Sequence, residues 1–231
     1  MSKNITDKGD MGTADKHNYE SLKNPWNKIS LSDYEAHMSF ASVMQLQSVN
    51  AIMKVQFEAY PVSTVMILGV AGGNGIEHIN NKKYQKVYGV DINANYLNEA
   101  YKRHGDCNGI ISYLHKDLST DFGELPHAEL LIANLILEYV GYAAFRNVIT
   151  QVRPIYTSCV IQTNVKSDKW VSYSPYAAVF NALTQIYHEI DEKDLTMNMQ
   201  EIKYQLKQKV EYPLPNGKKL LKLDYTYTST I

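Results

Sequence analysis

Residues 65–79 read VMILGVAGGNGIEHI. Four apolar residues run into Gly69, Ala71, Gly72, Gly73 and Gly75, after which Ile76 reopens an apolar pattern. Glycine loses more conformational freedom on folding than any other residue, so such a cluster marks backbone that turns sharply or lies against something. The run before it, TVMILGV (64–70), is bounded by Pro61 and does not alternate with polar residues. It reads as a strand buried on both faces, followed by a tight turn and a helix over 76–81.

The same alternation continues downstream. KVYGVDI (86–92) reads as a second buried strand, and NANYLNEAYKRHG (93–105) as a helix capped by Asn93 and stopped by Gly105. GIISYLHKDL (109–118) and HAELLIANLIL (127–137) supply a third and a fourth strand. Phe145, Val148, Ile149 and Val152 are spaced for a helix over 142–156, and TSCVIQTNV (157–165) is a fifth strand. Apolar residues from Tyr176 to Ile190 predict an amphipathic helix, with a short one near 192–201. Two alternating arms then flank Asn216–Gly217, a two-residue hairpin signal. Upstream, Ser32 and Glu35 form a capping-box pattern that opens a helix running to about Ala59. The predicted fold class is α/β: a doubly wound, mostly parallel seven-stranded sheet with a C-terminal antiparallel hairpin and an N-terminal helical lid. The polar residues 1–18 read as a mobile tail, 19–60 as the lid and 61–231 as the main domain.

Composition narrows the function classes. With 231 residues and a formal net charge of −1, the chain carries no global field to attract nucleic acid or an anionic membrane. The two cysteines, Cys107 and Cys159, cannot make a disulfide framework or a thiolate metal site. No secretory signal pattern is seen, and the longest apolar stretch, LLIANLILEYV (130–140), contains Asn134 and Glu138. These features predict a cytoplasmic location. His78, His104, His115, His127 and His188 show no ligand spacing, so no metal is expected.

In open α/β sheets, ligands bind beyond the carboxyl ends of the strands. The second strand ends in Asp91, about 20 residues past the first glycine, where a carboxylate can accept from a ribose diol. Asp91 fits a helix-capping role equally well. Asp117 ends the third strand and serves either an adenine amino group or a local turn, and Ile92 offers an apolar face to the ring. The fourth strand ends in Asn134–Leu135. The turn does not match G-x-G-x-x-G in any register; G-x-G-x-G fits better, with Ala71 in the middle slot.

From ILGVAGGNG through VYGVDIN, HKDL and ANLILEYV to the closing hairpin, the chain resembles class I S-adenosylmethionine-dependent methyltransferases. The resemblance covers about residue 62 to the C-terminus. It implies a Rossmann-like domain, S-adenosylmethionine as cofactor and methyl transfer by in-line displacement. It also implies cofactor contacts at Gly69, Ala71 and Gly73 (methionine part), Asp91 (ribose), Ile92, Asp117 and Leu118 (adenine), and Asn134 (near the sulfonium). Two positions depart from the family pattern: Ile67 stands where an acidic residue is frequent, and Ala71 replaces the middle glycine. The form LILEYV, without the Pro-Pro of branches acting on amides and nucleobase amines, is closer to members that act on small molecules. A small-molecule substrate is therefore expected, with neither nucleic acid nor membrane as partner.

Transfer to an acceptor mainly requires alignment, and a base is needed only where the acceptor must lose a proton. Tyr34 and His37, three residues apart on one helical face, are candidate catalytic groups. Glu138, with Tyr139 beside it, is another; its alternative is a capping or ion-paired role. Trp26 either lines a pocket or anchors the N-terminal segment. Competing readings are an aminopropyltransferase, which would want an acidic residue at the fourth strand's end; a nicotinamide-dependent oxidoreductase, which the glycine spacing disfavours; and a methyltransferase-like domain kept as a non-catalytic binding module.

Overall fold

A computed structural model describes residues 24–120, 123–164 and 169–229. The expected tail (1–18) and the start of the lid (19–23) lie outside the described residues. Seven strands form one sheet: β1 (Thr64–Leu68), β2 (Lys86–Asp91), β3 (Ile111–His115), β4 (Leu130–Asn134), β5 (Tyr156–Thr163), β6 (Tyr204–Pro213) and β7 (Lys219–Tyr227). Their order is β3-β2-β1-β4-β5-β7-β6. The first five strands are parallel, and β7 runs antiparallel between β5 and β6. The predicted fold class is what the structure has.

The unbroken apolar character of β1 follows from burial on both faces. Val65 and Ile67 point into a core that contains Met53, Phe57 and Leu97. Met66 and Leu68 point into the opposite core, with Phe145, Ile149 and Leu195. The helices are α1 (Leu31–Ser39), α2 (Gln45–Ala59), α3 (Ala94–His104), α4 (Leu137–Val152) and α5 (Glu192–Glu201).

Four local expectations are corrected. The N-terminal helix is two helices, broken where Met44 takes a left-handed φ of 51°, and Ser30 rather than Ser32 caps α1 by accepting the Asp33 N–H. The helix expected over 76–81 is a single 3-10 turn, Ile76–His78. The amphipathic stretch after Tyr176 is a 3-10 segment, Ala177–Gln185. The hairpin loop closes on Leu214 and Lys218, so three residues span it, with Gly217 left-handed at φ 82°.

The failed helix has a visible cause. Gln45–Ala59 lies so close to the glycine turn that a Cβ on Gly75 would stand 2.6 Å from Met53 Sδ. Asn50 of α2 donates to Asn74 and Glu77 and contacts His78, while Asn74 donates to the Leu46 carbonyl. The polar groups of 74–78 are thus committed to α2 rather than to further helical turns.

Candidate cofactor and acceptor cleft

Strand order reverses between β1 and β4, and the chain leaves these two strands in opposite directions. A crevice opens at their carboxyl ends, as that topology requires. It forms a cleft of about 1120 Å3, its open mouth included. Its floor comes from the strand tips, and its roof from α1, residues 24–26, residues 170–172 and the 3-10 segment Ala177–Gln185.

The floor begins at the glycine turn. Gly69 and Ala71 line the cleft, both left-handed, at φ 67° and 47°. Asp91 reaches across from β2: Oδ2 accepts the Ala71 N–H and Oδ1 the Asn93 N–H, each at 2.9 Å. Burial pushes its carboxyl up to about 6, against the opposing pull of these two N–H donors. Asn93 caps α3 through the Asn95 and Tyr96 N–H groups and donates to the Trp26 carbonyl at 3.0 Å. Ile92, Asp117 and Leu118 line the same end. One oxygen of Asp117 takes the Ser119 N–H at 2.9 Å and its hydroxyl at 2.5 Å.

Of the expected cofactor residues, Gly73 lies away from the cleft lining and Asn134 lines it while bonded to a neighbour. Gly73 does not line the cleft: a Cβ there would stand 2.7 Å from the His104 ring, so close packing on α3 accounts for this glycine. Gly72 likewise serves α1, since a Cβ would lie 2.8 Å from both Glu35 Oε1 and Leu31 Cδ2. Asn134 does line the cleft, but its side-chain amide exchanges two hydrogen bonds, both 2.9 Å, with Gln56 of α2.

The other end of the cleft is aromatic. Trp26 and Tyr139 meet edge to face at 4.9 Å, and Trp170 and Tyr187 stack at 4.4 Å. Tyr34 stands 6.0 Å from Trp26, and Phe180 packs 4.5 Å from His37. Burial, and then the nearby Asp91 and Glu35 carboxylates, raise the Tyr34 hydroxyl far above its usual range. His37 is buried, with Nδ1 2.8 Å from Ser174 Oγ. Burial, helped by Lys218, holds the imidazole down at about 4, so it is neutral at pH 7. Lys218, itself pulled down to about 8 by burial, donates to the carbonyls of Lys169 and Trp170.

Glu138 is the outlying group. It is 5% exposed and lines the cleft. Its Oε1 accepts the Gln162 N–H at 2.9 Å, while Oε2 is buried with no hydrogen-bond partner. Burial raises its carboxyl to about 7. The chain kinks at Gly141, and the His188 N–H takes the Glu138 carbonyl at 2.7 Å. The structure thus brings Tyr34, His37 and Glu138 to one cavity. It adds residues that the sequence reading passed over, among them Gln162, Trp170, Phe180 and Tyr187. Gln162 could have been noticed as a polar residue near the carboxyl end of an apolar strand, and Trp170 as one of only two tryptophans.

Among the described residues, no group of His, Cys, Asp and Glu side chains is placed to hold a metal ion, and no helix is long and apolar enough to cross a membrane.

No protein-family model matches the chain, and no curated protein matches its sequence. Solved structures do match its fold. The N-methyltransferase NodS from Bradyrhizobium japonicum WM9, in complex with S-adenosyl-L-homocysteine, is similar at TM-score 0.61 and 12% identity, over 86% of this chain and 98% of that one. The magnesium protoporphyrin IX methyltransferase ChlM from Synechocystis PCC 6803, with bound S-adenosylmethionine, is similar at TM-score 0.61 and 12% identity, over 95% and 100% of the two chains. The [4+2]-cyclase SpnF is similar at TM-score 0.61 and 6% identity, over 81% and 83%. At these identities the likeness is one of architecture: the chain has the fold of class I S-adenosylmethionine-dependent methyltransferases.

Proposed function

We propose that this protein is a methyltransferase that binds S-adenosylmethionine and acts on a small-molecule acceptor. The observation that carries the reading is the convergence, in one cleft at the sheet's switch point, of the Gly69–Ala71 turn with Asp91, Ile92, Asp117 and Leu118. That set fits an adenosine. Both Asp91 oxygens keep lone pairs beyond the two N–H groups they accept, which suits a ribose diol. Ile92 and Leu118 supply apolar surface for a purine, with Asp117 beside them. When bound, the cofactor supplies an electrophilic methyl group. The chain's own task is to seat the acceptor, exclude water and manage its proton.

Helix α1 acts as the roof of the site. Arg103 of α3 holds it through a two-pronged pair with Glu35, at 2.5 and 3.1 Å, and also donates to the Gly72 carbonyl. Glu138 is the group we assign to accept the acceptor's proton: it lines the acceptor end and is ionised just above neutrality. His37 and Tyr34 shape the pocket. We read the protein as cytoplasmic, supported by its two unpaired cysteines. A second reading, a cofactor-binding module without methyl transfer, is favoured by Ile67, buried in the core where the family pattern has an acid.

Calorimetric titration with S-adenosylhomocysteine and with NAD tests the proposal. Saturable binding of the first is expected; binding of NAD alone would remove it. Radiolabelled methyl transfer to a mixed metabolite extract separates enzyme from binding module.

A further inference from the structure

We propose that the acceptor end of the cleft is a cation site, so that the acceptor is an amine that enters as its ammonium ion. This rests on the methyltransferase reading given above and names the substrate class of that site.

Three observations point to it. Glu138 lines the cleft, and its Oε2 is buried and meets no donor. Leaving such an atom unpaired is costly, and a ligand that brings a donor and a positive charge recovers that cost. The walls around it are aromatic: Tyr139 adjoins Glu138 in the chain, Trp26 packs on Tyr139, and Trp170 stacks on Tyr187. Aromatic faces attract ammonium groups, most strongly where water is excluded. The charge of the lining is also one-sided. At this end the charged side chain of the lining is Glu138, and His37 is neutral; Asp91, Lys116 and Asp117 line the opposite end. A carboxylate or phosphate acceptor would meet repulsion there.

The groups that interact electrostatically with Glu138 from the surrounding elements are Tyr139, Tyr142, Cys159 and Tyr187. All four are held in their neutral forms above their usual ranges by burial. None of them neutralises the carboxylate. A seated ammonium pairs with Oε2. It then passes one proton to that oxygen, and its nitrogen keeps the electron pair needed for attack. The proton on Glu138 returns to solvent when the site opens.

The chain has two tryptophans, and both line this end of the cleft, so tryptophan emission reports on it directly. The test is a fluorescence titration of the S-adenosylhomocysteine-saturated protein with benzyltrimethylammonium, its uncharged carbon isostere neopentylbenzene, and benzoate. The quaternary probe has no titratable proton, so any pH effect belongs to the protein. Expected is a preference of at least about tenfold for the cation over the isostere, the size of a desolvated cation–aromatic contact. The preference should strengthen as pH rises through about 7, and Glu138→Gln should reduce it to the aromatic share and abolish that pH dependence. Equal binding of cation and isostere by the wild-type protein, or tighter binding of benzoate, overturns the inference whether or not the variant folds. Saturation with S-adenosylhomocysteine is followed separately by calorimetry. Failure there strikes the cofactor reading, and the probe titration of the unliganded protein still decides the cation site.

Discussion

The Asp91 carboxylate accepts the backbone N–H of Ala71 at 2.9 Å, fastening the tip of β2 to the turn that follows β1. The same group is our ribose partner, so it both shapes the floor and offers the contact. Asp91→Ala is expected to weaken S-adenosylhomocysteine binding by about 1.5–3 kcal/mol, the range for a hydrogen-bonded charge. Calorimetry at a temperature where the variant remains folded checks this, and a change within error would place the ribose elsewhere.

Glu138 should make stability depend on pH in a recognisable way. Its carboxyl lies at about 7 in the folded protein against a usual 4.5. A raised acid favours the folded state while protonated, so the contribution is complete below about 4.5 and gone above about 7. Glu138→Gln removes the buried charge and should therefore be more stable than wild type at about pH 8, by up to roughly 3 kcal/mol. The advantage should vanish near pH 4.5. Urea denaturation of both proteins across this range cancels every other titrating group. A difference that stays constant with pH would mean that Oε2 is paired in solution.

Gly72 has a side-chain-free surface because α1 rests on it. Gly72→Ala places a methyl where the ends of the Leu31, Glu35 and Arg103 side chains stand, so these must give way and α1 is held less firmly on the turn. Hydrogen exchange over 31–39 should accelerate and cofactor dissociation should quicken. Arg103→Ala should act in the same direction but more weakly, by about 0.5–1 kcal/mol, because the Glu35–Arg103 pair is partly exposed and screened by salt. Unchanged exchange in both variants would detach α1 from the turn.

A buried polar chain runs from the cleft into the sheet. Gln56 bonds both Asn134 and Ser158, Ser158 donates to Asp224 at 2.6 Å, and Asp224 pairs with Lys222. Gln56→Leu removes both partners of the Asn134 amide and leaves Ser158 with Asp224 alone, and should cost about 1–3 kcal/mol, the range for one group left unpaired. It should also raise the Km for the cofactor, since Asn134 is then free to turn. Loss of stability with an unaltered Km would limit Gln56 to folding.

His37 is a sharper test of who handles the proton. Held at about 4, it stays uncharged through neutrality and is a weak base there. His37→Gln should lower kcat by less than about tenfold, below the 10²–10⁴ typical of a lost general base. Glu138→Gln should show the full loss. The reverse order of effects would return the role to His37.

Much of this molecule can be read from short stretches of sequence. Apolar runs of strand length, the Asn93 cap, Gly105 and the alternating hairpin arms are local signals. Local sterics and burial act on them wherever the chain goes, so sheet content, strand sequence and the positions of Asp91 and Asn134 at strand tips were legible, whereas β3 ends at His115, two residues before Asp117. Three of the glycine turn's residues were legible as special but not in purpose: Gly72, Gly73 and Gly75 answer to Glu35, His104 and Met53, neighbours distant in sequence. The missing helix after Gly75 is equally non-local, because α2, which precedes β1, takes up its polar groups. Local patterns alone specify a mostly parallel sheet, with Asp91 ending one strand and Asp117 just past another, around a small-residue bend. Packing of distant segments is what ties Asn134 to Gln56, keeps His37 neutral and leaves one Glu138 oxygen unpaired in an aromatic-lined cleft. The reason is that hydrogen-bond partners and solvent access belong to packed surroundings rather than to the residue that carries the group.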